Sequence, residues 1–232
     1  FREQPQVAMP DGMYFSAARG SVRKKLARQA AEDWRAFLQA RAQELVPGGQ
    51  MMVQGIATVV APDGSEQASA ARLLQLMWEV ARTLVEDGHL DGRVLVSYIF
   101  PVYCRSKEEA LAPMTQGGPL AEALEVVSAE TSAVANPYWE EWERNGDAAG
   151  YARSYTAFVR AFAESTLAKH LFASAQNPEE LGEEFFRRLE EAIRKEPERG
   201  KYEATILRVV MRKKVESRKA KGEKSEGIQG KG

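Results

Sequence analysis

The chain has 232 residues, 44% of them apolar and 28% charged, with 32 Lys plus Arg against 33 Asp plus Glu. Those proportions exclude collagen-like, low-complexity and wholly disordered chains, and the cancelled charge leaves no whole-molecule field to gather nucleic acid or an anionic membrane. One cysteine, Cys104, and two histidines, His89 and His170, are too few for a disulfide framework or a Cys/His zinc cage, so a reducing, cytoplasmic compartment is expected. No apolar run approaches the roughly 18 residues of a spanning helix. The chain opens on Phe1 without a charged-then-apolar leader, and is expected to be the later part of a longer protein.

Residues 21–46 set Val22, Leu26, Ala30, Trp34, Leu38, Ala42 and Leu45 three or four apart, one face of a long amphipathic helix. Pro47, Gly48 and Gly49 stop it. Met51, Met52 and Val53, then residues 56–60, form an apolar run broken by Gly55 that suits a buried strand, and helix, turn and strand together read as half of a parallel crossover. Residues 61–67 are a polar connection. A second helix reaches Asp87 with Ser69 as its cap and Leu73, Leu74, Met77, Val80, Ala81 and Leu84 on one side.

Residues 94–103 read as extended up to the break at Pro101, and Ser106 to Glu109 form a capping box for a short helix. Residues 124–134 stay open between helix and strand, because Val126 and Val127 favour extension while the Ala and Glu content favours helix. Residues 148–172 are a helix with Tyr151, Tyr155, Phe158, Val159 and Phe162 on a wide apolar face. Asn177 as cap and Pro178 in the first turn start another, and residues 202–211 read as a closing strand. From Arg212 onward eight Lys or Arg stand against three Glu, with interleaved glycines and no aromatic residue; residues 215–232 read as a disordered basic tail rather than a nucleic-acid arm. The order of elements predicts an α/β fold rich in extra helix.

A search for catalytic constellations finds no glycine-rich phosphate loop, nucleophile elbow or His/Glu metal helix. His89 and His170 sit at helix ends, where histidine commonly compensates the helix dipole. Cys104 beside Arg105 reads as a small buried hydrophobe more readily than as an activated thiol.

The motifs have a recognisable order. Gln29, Asp33, Phe37, Leu38 and Arg41 run into Leu45, Val46, Pro47, Gly48, Gly49, Gln50 and Met51; Met13 to Ser16 precede them as a short aromatic strand; Pro101, Val102, Tyr103 and Ser106 follow, then Val159, Arg160, Ala161, Glu164, Leu167 and His170. Over residues 13–214 this order resembles the SABATH family of plant-type SAM-dependent carboxyl and N-methyltransferases. The resemblance implies the C-terminal part of a Rossmann-like methyltransferase sheet with a large α-helical cap. It implies residues 1–62 as partial core, residues 63–214 as cap interleaved with the closing strands, and an upstream SAM-binding segment missing from this chain.

It also implies S-adenosyl-L-methionine as cofactor and a small carboxylic acid as substrate. By the same resemblance Tyr103, Val159 and Phe162 line the acceptor pocket. Leu74 stands where carboxyl-methylating members hold the acceptor with a tryptophan, and Trp78, one turn along, is the substitute donor. The first, third and fourth positions of a magnesium segment found in some members are Val96, Tyr98 and Ile99; Val96 and Ile99 offer no oxygen ligand, so no metal is expected. Neither a nucleic-acid nor a membrane partner is expected, whereas an exposed sheet edge would favour a homodimer. The alternative is a truncated or diverged non-catalytic homologue serving as a protein-interaction module.

Overall fold

In the computed structural model, which describes residues 1–215, the first long element is α1, Gly20–Glu44, which buries Leu26, Ala30, Trp34, Leu38 and Ala42 along the predicted stripe. Gly48 adopts a positive φ of 79° and its N–H bonds to Lys213 O, so the turn after Pro47 feeds the chain straight into a sheet. There β1, Gln50–Ile56, corrects the expected parallel crossover. It pairs antiparallel with β5, Thr205–Lys213, whose other side pairs antiparallel with β4, Leu124–Ala133. The sheet order is β1-β5-β4, so the last strand in the chain is the central one. Nor is β1 buried on both faces: Met51 and Val53 pack inward while Met52 is 60% exposed.

The strand expected over 56–60 breaks at Ala57. Beyond it β2, Thr58–Val60, and β3, Glu66–Ala68, form a hairpin where a polar connection was expected, with Gly64 at φ 80° in the turn. Ser69 does not cap the next helix, α2, Ala71–Glu86; Ala70 does, at φ 62°. The Ser69 hydroxyl instead donates to Ala57 O at 2.6 Å and accepts from Thr205 N at 3.0 Å, which ties the hairpin base to β5.

Two further expectations of extended chain are corrected. Gly92–Ser97 is helical, α3, because the Asp91 carboxylate accepts from Arg93 N at 2.8 Å and Leu95 finds a buried place. Met13 to Ser16 do not form a strand: Phe15–Ala17 is a 3-10 turn, and Met13 O accepts from Phe100 N at 2.6 Å. The capping box is present at the start of α4, Lys107–Thr115. After α5, Pro119–Ala123, the segment left open is strand β4, with a bulge between Val126 and Ser128. α6, Pro137–Asn145, α7, Ala148–His170, and α8, Pro178–Lys195, complete the helices.

Two cores result. One gathers α2, α7 and α8 around residues 9–18. The other fills the space between the inner sheet face, with Val209 and Met211, and α1, α4 and α5, with Trp34, Leu38, Met114 and Leu120. The expected basic tail lies, beyond Val215, outside the described residues.

Candidate functional site

Four of the five expected acceptor residues belong to the first core. Leu74 and Trp78 share the buried side of α2, Val159 lies fully buried on α7, and Tyr103 follows the Pro101 break. Phe162 departs from the others. It is 41% exposed, and joins the rest through Phe158 at 5.4 Å and Phe100 at 6.3 Å between ring centroids. None of five surface clefts is lined by any of the five residues.

The α4 capping box fixes Tyr103. Glu109 accepts from Ser106 N through one carboxylate oxygen and from the Tyr103 hydroxyl at 2.7 Å through the other. The Phe15 ring lies 4.4 Å from Tyr103, and the Arg23 guanidinium sits 4.6 Å from Phe15 and 5.6 Å from Tyr103. Burial, with the Glu109 hydrogen bond and charge, pushes the Tyr103 hydroxyl well above its ordinary pKa, so it acts as a neutral donor. Trp78 makes no hydrogen bond among the described residues; the Arg82 guanidinium lies 5.2 Å from its ring.

Beneath this runs a buried polar node. The Tyr14 hydroxyl donates to Ser69 O at 3.0 Å and lies 2.8 Å from Cys104 Sγ, while Thr58 Oγ1 donates to Cys104 O at 2.6 Å. Burial raises the Cys104 thiol to about 11, against the smaller pull of the Tyr14 hydrogen bond and Arg105, so the thiol stays protonated at neutral pH. His89 and His170 are both exposed at helix ends. Val96 lies on α3, and Tyr98 and Ile99 are buried. Among the described residues no group of three His, Cys, Asp or Glu side chains could hold a metal ion.

The cleft over the start of α2 does not fit S-adenosylmethionine, which needs an apolar adenine slot beside an acidic ribose ligand. This cleft of about 730 Å³ has Arg19, Arg72 and Arg199 facing Asp11, Glu79 and Glu198, and no aromatic side chain. Its charges are already paired in part, since Arg199 binds Glu79 and Glu196.

Sequence reasoning missed α6. Its aromatic side chains Tyr138, Trp139 and Trp142 pack on Tyr151 and Tyr155 of α7, with Trp139 and Trp142 4.6 Å apart and Tyr151 and Tyr155 stacked at 5.3 Å. The signal was available, because Asn136-Pro137 repeats the cap-and-proline pair of Asn177-Pro178, and the Asn136 carboxamide accepts from Trp139 N.

This helix-rich fold on an antiparallel sheet corner is that of a known class of transferase. The family model for SAM dependent carboxyl methyltransferases matches residues 3–214, and the chain belongs to that family. It is similar to salicylate carboxymethyltransferase of Clarkia breweri, 28% identical over 156 residues that cover 65% of this chain and 40% of the relative. Its fold matches that of loganic acid methyltransferase solved with SAH, at a TM-score of 0.65 and 19% identity, covering 89% of this chain and 54% of the other. The chain thus spans about half or less of these relatives' length.

Proposed function

We propose that the protein transfers a methyl group from S-adenosylmethionine to the carboxylate of a small organic acid, and that the present residues supply the acceptor side. The observation that carries this reading is the family match over residues 3–214. Salicylate and loganic acid, the acids in the relatives' names, support the substrate class. Residues 1–62 contribute part of the transferase core, and residues 63–214 form the helical cap interleaved with the closing strands. Tyr103, Val159 and Phe162 line the acceptor, with Trp78 donating to its carboxylate in place of the tryptophan that Leu74 replaces. A carboxylic acid with a pKa near ~4 is already ionised at neutral pH and needs no general base. The chain's task is to orient that carboxylate and strip its water, which a largely apolar wall with few donors does well. A cytoplasmic location and a homodimer complete the reading, with no nucleic-acid partner.

Calorimetric titration of the chain with salicylate, benzoate and loganic acid, and separately with S-adenosylmethionine, tests both parts. Saturable acid binding that weakens in Trp78→Phe, with weak or no cofactor binding, is expected. Tight cofactor binding would overturn the division of labour, and no binding of any acid would overturn the acceptor role. A second reading, a non-catalytic interaction module, draws on Leu74, Val96 and Ile99 standing where relatives carry functional side chains. It expects no acid binding in the same titration.

A further inference from the structure

We propose that the small cleft between α6 and α7 binds a methylated ammonium headgroup, a site separate from the acceptor wall. The cleft holds about 90 Å³, the room of about three waters at roughly 30 Å³ each. Tyr138 and Trp142, one turn apart on α6, and Tyr151 on α7 wall it, and Glu141 and Asp147 stand at its rim. Trp142 and Tyr151 are 6.0 Å apart at 36°, so the rings are splayed rather than closed on each other.

Three features select a cation without hydrogen-bond demands. Aromatic faces carry negative potential and attract quaternary ammonium groups. No Lys or Arg lines the cleft, and neither Glu141 nor Asp147 forms an ion pair among the described residues. Asp147 uses only Oδ1, accepting from Gly150 N at 2.9 Å, which leaves Oδ2 to contribute charge. The C-terminal end of α6 and the N-terminal end of α7 meet here with opposite partial charges, and Glu141 and Asp147 are the charged side chains among the lining residues.

The adjoining ring already holds a cation of the chain itself. Lys201 Nζ lies 4.3 Å from the Trp139 ring centroid, and Trp139 packs directly on Trp142. The Tyr151 side chain is buried and its ring stacks on Tyr155 at 5.3 Å, which fixes the position of that wall.

The test is calorimetry of the full 232-residue chain with tetramethylammonium, with choline, and with 3,3-dimethylbutan-1-ol, the neutral isostere of choline. Saturable binding of both cations is expected, at least about tenfold tighter than the alcohol, and lost in Trp142→Leu. Equal affinity for alcohol and choline, or no saturation by either cation, would overturn the site. If Trp142→Leu does not fold, Glu141→Lys at the exposed rim serves instead: a several-fold weaker affinity for tetramethylammonium is expected, and an unchanged one would sink the proposal.

Discussion

Tyr14 joins stretches of chain that lie far apart in sequence, since its hydroxyl reaches Ser69 O and Cys104 Sγ at once. Tyr14→Phe keeps the ring, including its edge contact with Phe15, and deletes only that polar junction. The buried acceptor left without its donor should cost about 1–2 kcal/mol in urea unfolding; a loss near zero would mean that the ring alone holds the junction. Glu184 shows a different electrostatic effect. Arg187 and Arg188 both donate to its carboxylate at 2.7 Å and hold it at about 2, well below the ordinary 4.5. Because the folded pKa is depressed, this contribution is fully present above pH 4.5 and is lost as pH falls toward 2. Urea midpoints measured between pH 7 and pH 2.5 should therefore fall less steeply in Glu184→Gln than in the parent chain.

At the scale of elements, long amphipathic helices were legible in the sequence because their burial stripes are set by local spacing. Residues Leu26 to Ala42 in α1 and Phe185 to Ile193 in α8 repeat every three or four positions whatever packs against them. The sheet was less legible, because strand direction depends on a partner about 150 residues away: nothing local to Met51 to Val53 says that β5 arrives antiparallel. The start of α2 was misread for another reason. Ser69 is a favoured cap by type, but its hydroxyl is taken by Ala57 and Thr205, and Ala70 carries the left-handed backbone instead. An alanine there costs about 1–2 kcal/mol, partly offset by the lower chain entropy it brings to the unfolded state. Ala70→Gly should thus leave thermal stability unchanged or raise it by up to about 1 kcal/mol. Of the candidate site, the resemblance led to residues that the fold gathers in one core, while the exposed position of Phe162 and the aromatic cluster on α6 needed tertiary packing to be seen.

At the scale of the whole molecule the two sheet edges differ. β4 carries Glu125, Glu130 and a bulge, devices that discourage further pairing. β1 has seven residues without charge, proline or bulge, and presents Met52 beside its open backbone. An unguarded edge of this length favours pairing with another strand, and in the isolated chain the available strand is β1 of a second copy. Light scattering at rising concentration should show a dimer that Met52→Lys returns to monomer; a monomer throughout in the parent chain would count against self-association.

The polar node under the site also makes the protein its own gauge of opening. Cys104 is the single thiol in 232 residues, almost wholly enclosed, and raised to about 11. A thiol reagent can reach it only when the segments around Tyr14, Thr58 and Ser69 part, so its labelling rate reports the free energy of that separation under native conditions, with no competing thiol to correct for. Following that rate while an organic acid or an ammonium ion is added would show whether either ligand reaches the centre of the fold or only its surface.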